Sequence, residues 1–152
     1  MGILVNSPLR RLDGISYWVI EDPDGIWDFI NTEIRKEWDF DVRSLPRNDP
    51  AAGAWLRDLP HRKWTLEIVE IGKVSLDEHM MRFVDSETGY NFPEHLATRR
   101  KELRYAIENY GIVIWPIIVR KEDMQVLDGY CRYTTLKEMN IPAVYAYVGR
   151  LE

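Results

Sequence analysis

The chain has 152 residues, 45% of them apolar and 30% charged, which suits one packed domain with an extension and is too little for two full-sized cores. The net charge is -5, and the acidic excess lies early: residues 1–93 hold eleven basic and seventeen acidic side chains, residues 94–152 nine and eight. That balance disfavours duplex DNA, which draws on a basic excess. No stretch has the roughly 20 uncharged residues that cross a bilayer, Met1–Asn6 carries no secretory signal, and the single cysteine, Cys131, excludes an internal disulfide or a multi-cysteine zinc site. A cytoplasmic protein with no membrane partner is expected.

The first third reads as irregular. Asp22-Pro23-Asp24-Gly25 is a turn, and either acid suits the cap of a helix over about Gly25–Glu37, where Ile26, Trp27, Phe29, Ile30, Ile34 and Trp38 recur at helical spacing. Asp41–Pro50 reads as a loop, and Pro50–Leu59 as a short helix that Pro60 ends. Trp18, Trp27, Trp38, Trp55 and Trp64 crowd the first 64 residues and are read as packing this extension on the core.

From Trp64 the pattern changes. Trp64–Ile71 is β-branched and aromatic and predicts a strand, interrupted by Gly72 and Lys73 before Val74-Ser75-Leu76. Asp85–Pro93 reads as a surface loop. A helix follows over Glu94–Tyr110, with an apolar face from Leu96 to Tyr110 and a stop at Gly111. Its Arg99, Arg100, Lys101 and Arg104 read first as a solvated face and second as an attraction for a nucleotide, an acidic substrate or nucleic acid. Ile117–Arg120, entered through Pro116, reads as a buried strand near the sheet centre. Met124–Leu127 predicts a strand, Tyr130–Met139 a helix and Ala143–Val148 a further strand. The histidines, His61, His79 and His95, lack His-x-x-x-His spacing and read as structural or surface groups.

The sharpest feature is Val126–Leu136, a strand, a glycine turn and a helix start. Such a start presents unpaired N–H groups and the positive end of the helix dipole. Gly129 allows close approach to the backbone. Arg132 adds a guanidinium that grips phosphate oxygens, and Thr134 or Thr135 adds a hydroxyl. The alternative reading of such a turn is purely structural, with Asp128 capping the helix or ordering the turn.

Residues 102–148 resemble the core of the ParB/sulfiredoxin superfamily. The resemblance lies in Glu108-Asn109-Tyr110-Gly111, in Trp115-Pro116-Ile117-Ile118-Val119, in Leu127 to Tyr133, and in Ile141-Pro142-Ala143-Val144. Its signature is a Gly-x-x-Arg turn at a helix start that cradles nucleotide phosphates, met here by Gly129, Tyr130, Cys131 and Arg132. The strand at Ile68–Ile71 and the stretch Val74–Glu78 fit the family's opening strand and loop. The resemblance spans about 64–149 and implies a compact α/β (α+β) domain with a mixed sheet. Residues 1–63 would form an N-terminal helical extension, and 64–152 the nucleotide-binding domain.

The branches of that superfamily differ in chemistry. Sulfiredoxins have Gly-Cys-His-Arg; here Tyr130 follows the glycine, and Cys131 is displaced by one residue, about 100° around a helix. Sulfinic-acid reduction is therefore not expected, and Cys131 reads as a small buried residue. Full ParB proteins continue into a helix-turn-helix domain, whereas this chain stops at Glu152, so a self-sufficient partition protein is not expected. Free serine kinases related to ParB carry Asp-Gly-His-His-Arg-Tyr. Asp128, Gly129, Arg132 and Tyr133 match, while Tyr130 and Cys131 replace the histidines.

The kinase resemblance implies Glu78 as catalytic base, Asp128 as a second catalytic group and holder of Mg²⁺, and a phosphate site over Gly129, Tyr130, Cys131, Arg132, Tyr133, Thr134 and Thr135. The implied cofactor is ATP or ADP (or CTP) with Mg²⁺, and the implied reaction is phosphotransfer to a small hydroxyl-bearing metabolite. Alternatives are a non-catalytic, nucleotide-dependent switch acting with DNA or a protein, or a nuclease.

Overall fold

The computed structural model describes residues 8–36 and 58–151. The first element is a strand that no reading of the sequence anticipated. Leu9–Leu12 (β1) and Ile15–Trp18 (β2) form an antiparallel hairpin closed by Asp13-Gly14. Both turn residues have positive φ, 51° and 82°, as a two-residue turn matched to strand twist requires. The hairpin joins the core through its backbone: Trp18 N–H donates to Ile114 O at 2.9 Å and Ile114 N–H to Ser16 O at 3.0 Å.

Helix α1, Pro23–Phe29, starts two residues before the expected Gly25, with one of the two candidate acids as its cap. Asp22 accepts from Gly25 N–H at 2.9 Å. It continues through a π-helical turn, Ile30–Ile34. The expected loop at 41–50, and nearly all of the helix expected at 50–59, lie outside the described residues. Leu59–His61 is a 3₁₀ turn containing Pro60.

The main sheet has strands β3 (Arg62–Glu70), β4 (Ile117–Arg120), β5 (Gln125–Asp128) and β6 (Ala143–Leu151) in the order β3-β6-β4-β5. β3 and β6 pair antiparallel from Arg62–Leu151 to Glu70–Ala143; β4 is parallel to β6 and antiparallel to β5. The sheet is therefore mixed, as expected, with β4 inside it. Helices α2 (Phe92–Tyr110) and α3 (Tyr130–Glu138) pack on it. α2 starts two residues earlier than its sequence suggests, because Asn91 caps it by accepting from Glu94 N–H at 3.1 Å.

Period-two alternation sorts the strands between two cores. Val119, Val144, Ala146 and Val148 face Tyr133 and Leu136 of α3, along with Ile15 and Tyr17 of the hairpin. Ile118 and Tyr147 face the other way, with Trp64, onto Ile26, Phe29 and Ile30 of α1 and its extension. Each such side chain contributes about 1.5–3 kcal/mol by leaving water. The N-terminal segment thus covers both faces of the sheet, and it is part hairpin rather than wholly helical. Of its tryptophans, Trp27 donates to Pro60 O at 3.1 Å, while Trp38 and Trp55 fall outside the described residues.

One ion pair closes the far end of the sheet. Arg62 has a side chain 1% exposed and donates to both Glu122 oxygens, at 2.5 and 2.7 Å, and to Gly149 O at 3.0 Å. It ties the start of β3 to the β4–β5 turn across β6. Hydrogen bonding from Arg62 holds the Glu122 carboxyl below its ordinary value, against the opposing effect of its own desolvation. Beside it the Trp64 ring lies over Gly149, where an added Cβ would sit 2.7 Å from ring carbons.

Two outcomes follow. Glu122→Gln removes the counter-charge of a buried guanidinium and puts an amide N–H₂ where one carboxylate oxygen accepted, and should cost on the order of 2 kcal/mol in urea unfolding at neutral pH. The folded-state pKa of Glu122 is depressed, so the pair's contribution is complete above the ordinary carboxylate range and is lost as pH falls through the lower folded value. The difference between wild type and Glu122→Gln should therefore shrink in acid. Gly149→Ala should destabilise by roughly 1–3 kcal/mol by overpacking against Trp64, read as a lower urea midpoint with unchanged slope.

Candidate functional site

The turn singled out in the sequence lies where β5 ends beside the start of β4, with Asp128 opposite Ile118. Gly129 has φ 107° and its missing side chain has no room: a Cβ would lie 3.0 Å from Arg132 Nη2 and from Ile117 Cγ2. The glycine is required by the backbone and by the arginine folded over it. α3 then begins, and Tyr133 N–H makes a helical bond to Gly129 O at 2.8 Å. The N–H groups of Tyr130, Cys131 and Arg132 precede that bond and have no partner within the helix. Gly129, in the cap position, brings no side chain to them.

Arg132 is held from three sides. It donates to the carbonyls of Trp115 at 2.9 Å and Pro116 at 3.0 Å, and to Asp128 Oδ2 at 2.9 Å. Its side chain remains 19% exposed and that of Asp128 26%. The guanidinium therefore fastens the first turn of α3 to the entry of β4 and to the end of β5. Sequence reasoning could not find two of its three partners, because a main-chain carbonyl carries no residue signature.

The other anticipated phosphate ligands fall into distinct places. Tyr130 accepts from Asp77 N–H at 3.1 Å, packs edge-on against Phe92 with centroids 5.6 Å apart, and burial pushes its hydroxyl up to about 12. Tyr133 is buried and donates to Ile71 O and Val74 O, both at 3.2 Å. Thr134 donates back to Tyr130 O at 2.7 Å, and Thr135 is buried beneath the helix. These four hydroxyl side chains serve the helix and the core.

Cys131 is half-buried, its Sγ 4.0 Å from Thr135 Oγ1. Burial pushes the thiol above its ordinary value; the Thr135 hydroxyl and the charges of Arg99, Arg132 and Arg100 pull the other way without overcoming it. Two α2 arginines thus lie close enough to the first turn of α3 for their charge to reach the thiol. The reason is the packing of the two helices. Phe92 of α2 meets Tyr130, while Arg100 and Arg104 reach Glu138 at 2.9 and 3.0 Å. The helices therefore run side by side in one direction, with their N-termini at the same end. The basic face of α2 is thus partly engaged: Arg100 and Arg104 are paired. Arg99 is exposed and makes no ion pair among the described residues.

The loop after β3 reaches this corner. Ser75 N–H donates to Met124 O and Val126 N–H to Ser75 O, both at 2.9 Å, which lays the loop along β5. Asp77 then touches Tyr130. Glu78 is the next residue, but its carboxylate turns outward to Arg82 at 3.1 Å, with side chains 85% and 77% exposed. The structure therefore brings the Glu78 loop to the turn through Asp77, and Glu78 itself into solvent. Among the described residues no three His, Cys, Asp or Glu side chains converge in a way that would hold a metal ion, and no helix is long and apolar enough to cross a membrane.

No family model matches the chain, and no curated protein does. Solved structures similar to it include two of a pNOB8-like ParB N-domain, one of them its C2221 form, each 22% identical with a TM-score of 0.42 over 60% of this chain. A sulfiredoxin from Arabidopsis thaliana is 19% identical with a TM-score of 0.39, over 55% of this chain and 83% of that one. The chain spans less than a third of the length of the ParB N-domain chains, 29% and 31%. The mixed α/β architecture is thus similar to ParB N-domain and sulfiredoxin structures.

Proposed function

We propose that the chain is a nucleotide-binding protein that takes the phosphates of ATP, ADP or CTP on the main-chain amides of Tyr130, Cys131 and Arg132. The observation that carries this reading is the uncapped first turn of α3 with Arg132 folded over Gly129 and Arg99 alongside. Amides, helix dipole and the Arg132 guanidinium favour an anion at this turn, and Arg99 adds positive charge near Cys131. The amides need no rearrangement to act, and Arg132, held by Trp115, Pro116 and Asp128, supplies charge from a fixed position.

Between the chemistries that the sequence resemblance implies, a nucleotide-dependent switch acting with a protein or DNA fits this geometry better than phosphotransfer. Phosphotransfer to a metabolite hydroxyl requires Glu78 to accept a proton and Asp128 to hold Mg²⁺. Each of these carboxylates faces an arginine instead, Arg82 and Arg132 respectively. A transfer reaction would need both to change partners, whereas binding needs neither to.

Titration calorimetry with ATP, ADP and CTP, with and without Mg²⁺, tests the proposal. At least one should bind, with affinity falling as salt rises, and Arg99→Ala should weaken it by about tenfold, the scale of one charge-assisted hydrogen bond. Bound nucleotide should also slow alkylation of Cys131, the chain's single cysteine. Absence of binding by all three nucleotides overturns the reading. Transfer of labelled γ-phosphate to a member of a metabolite panel would replace the switch with a kinase, and Glu78→Gln should then lower that rate by roughly 10²–10⁴.

A further inference from the structure

Tyr130, the first residue of α3, serves two parts of the molecule at once. Its N–H is one of the amides on which the phosphates are taken to sit. Its side chain reaches back toward the loop after β3. The hydroxyl accepts from Asp77 N–H at 3.1 Å, and the ring packs edge-on against Phe92, the first residue of α2.

The segment between those two contacts has little burial to hold it. No residue from 75 to 95 is buried. Much of its backbone hydrogen bonding closes within it: Phe92 N–H donates to Phe83 O at 3.0 Å, Asp85 N–H to Tyr90 O at 2.7 Å, and Gly89 N–H to Asp85 O at 2.8 Å. Ser75 fastens the approach to β5. A segment with few buried contacts opens at low cost, and the attachments at its ends set that cost. Tyr130 supplies one attachment at each end, Asp77 and Phe92.

The helix that carries this tyrosine lacks a cap of its own. Gly129 gives α3 no side-chain acceptor, so the N–H groups of the first turn find none at the helix start. A phosphate on those amides acts as the cap and holds the first turn, Tyr130 included, in helical form.

We propose that Tyr130 couples the α3 turn to the segment Asp77–Phe92: a phosphate on the turn fixes the tyrosine's backbone, and the fixed backbone keeps its side chain on Asp77 and Phe92, holding the segment closed. The coupling rests on the nucleotide-binding reading and identifies the part of the switch that responds. It is reciprocal, so a segment already closed strengthens binding by the same factor.

Amide hydrogen exchange followed by NMR, with and without ATP, ADP or CTP, tests this. In the wild type a bound nucleotide should slow exchange in the first turn of α3 and also across 77–92, there by about fivefold or more, the scale of one retained hydrogen bond. Tyr130→Phe keeps the ring and removes the acceptor. Without nucleotide this variant should exchange about fivefold faster than wild type across 77–92. With nucleotide its α3 turn should still be protected, while 77–92 should slow by less than about twofold. Circular dichroism checks the fold of Tyr130→Phe, and Phe92→Leu, which removes the ring contact instead, should show the same loss. No slowing anywhere with any of the three nucleotides removes the binding reading and the coupling with it. Protection of the α3 turn without protection of 77–92, or protection of 77–92 that both variants keep, overturns the coupling and leaves binding standing.

Discussion

A single guanidinium sets the geometry on which the turn region depends. Arg132 gathers the carbonyls of Trp115 and Pro116 and the carboxylate of Asp128, groups from the entry of one strand and the end of its neighbour. Those carbonyls precede the first ladder position of β4 and need donors that the sheet does not give them. An arginine in the first turn of α3 supplies them, and in doing so fixes where the helix begins. The side chain also fills the space where Gly129 would otherwise carry a Cβ. Glycine, arginine and aspartate form one mechanical unit, whose exposed product is a short row of main-chain donors.

The rest of the fold holds that unit in register from both sides of the sheet. α1 and its π-helical continuation press on Ile118 and Tyr147, whose hydroxyl accepts from Ile20 N–H at 3.0 Å. Phe29 stacks on Trp115 with centroids 4.6 Å apart, immediately beside the carbonyl that Arg132 grips. On the opposite face, the hairpin hydrogen-bonds to Ile114, three residues before β4. The N-terminal segment is therefore continuous with the core: it steadies the approach to β4 from above and below.

Much of this was legible in the chain. The strong apolar run at Ile117–Arg120 announced an interior strand, and Gly111, Asp128-Gly129 and Ile141-Pro142 marked element ends to within about two residues. Of the two acids that suited the cap of α1, Asp22 takes it. The hairpin was missed although its signal was present: Asp13-Gly14 between Leu12 and Ile15 is the dipeptide that a two-residue turn with positive φ prefers. Its strands are only four residues long, and Arg10 and Arg11 blur the alternation that would have revealed them. The turn itself was found from sequence, but the occupation of Arg132 was not, because two of its partners are main-chain carbonyls far from it along the chain. Glu78 was placed on the right loop; the direction of its side chain depends on Arg82 four residues on, a choice between local ion pairs and a distant turn that sequence spacing does not resolve.

The long ladder between β3 and β6 has a consequence for the order of events during synthesis. Arg62 sits opposite Leu151 and Glu70 opposite Ala143, so the strand that opens the sheet finds its neighbour only after most of the intervening helices and strands have been made. Loop closure over such spans is entropically costly and kinetically slow. While the ribosome is still adding residues 71–142, Trp64 and Leu66 have no sheet to join, and the α1 residues lack Ile118 and Tyr147 beneath them. The main sheet can therefore close only once β6 has been made.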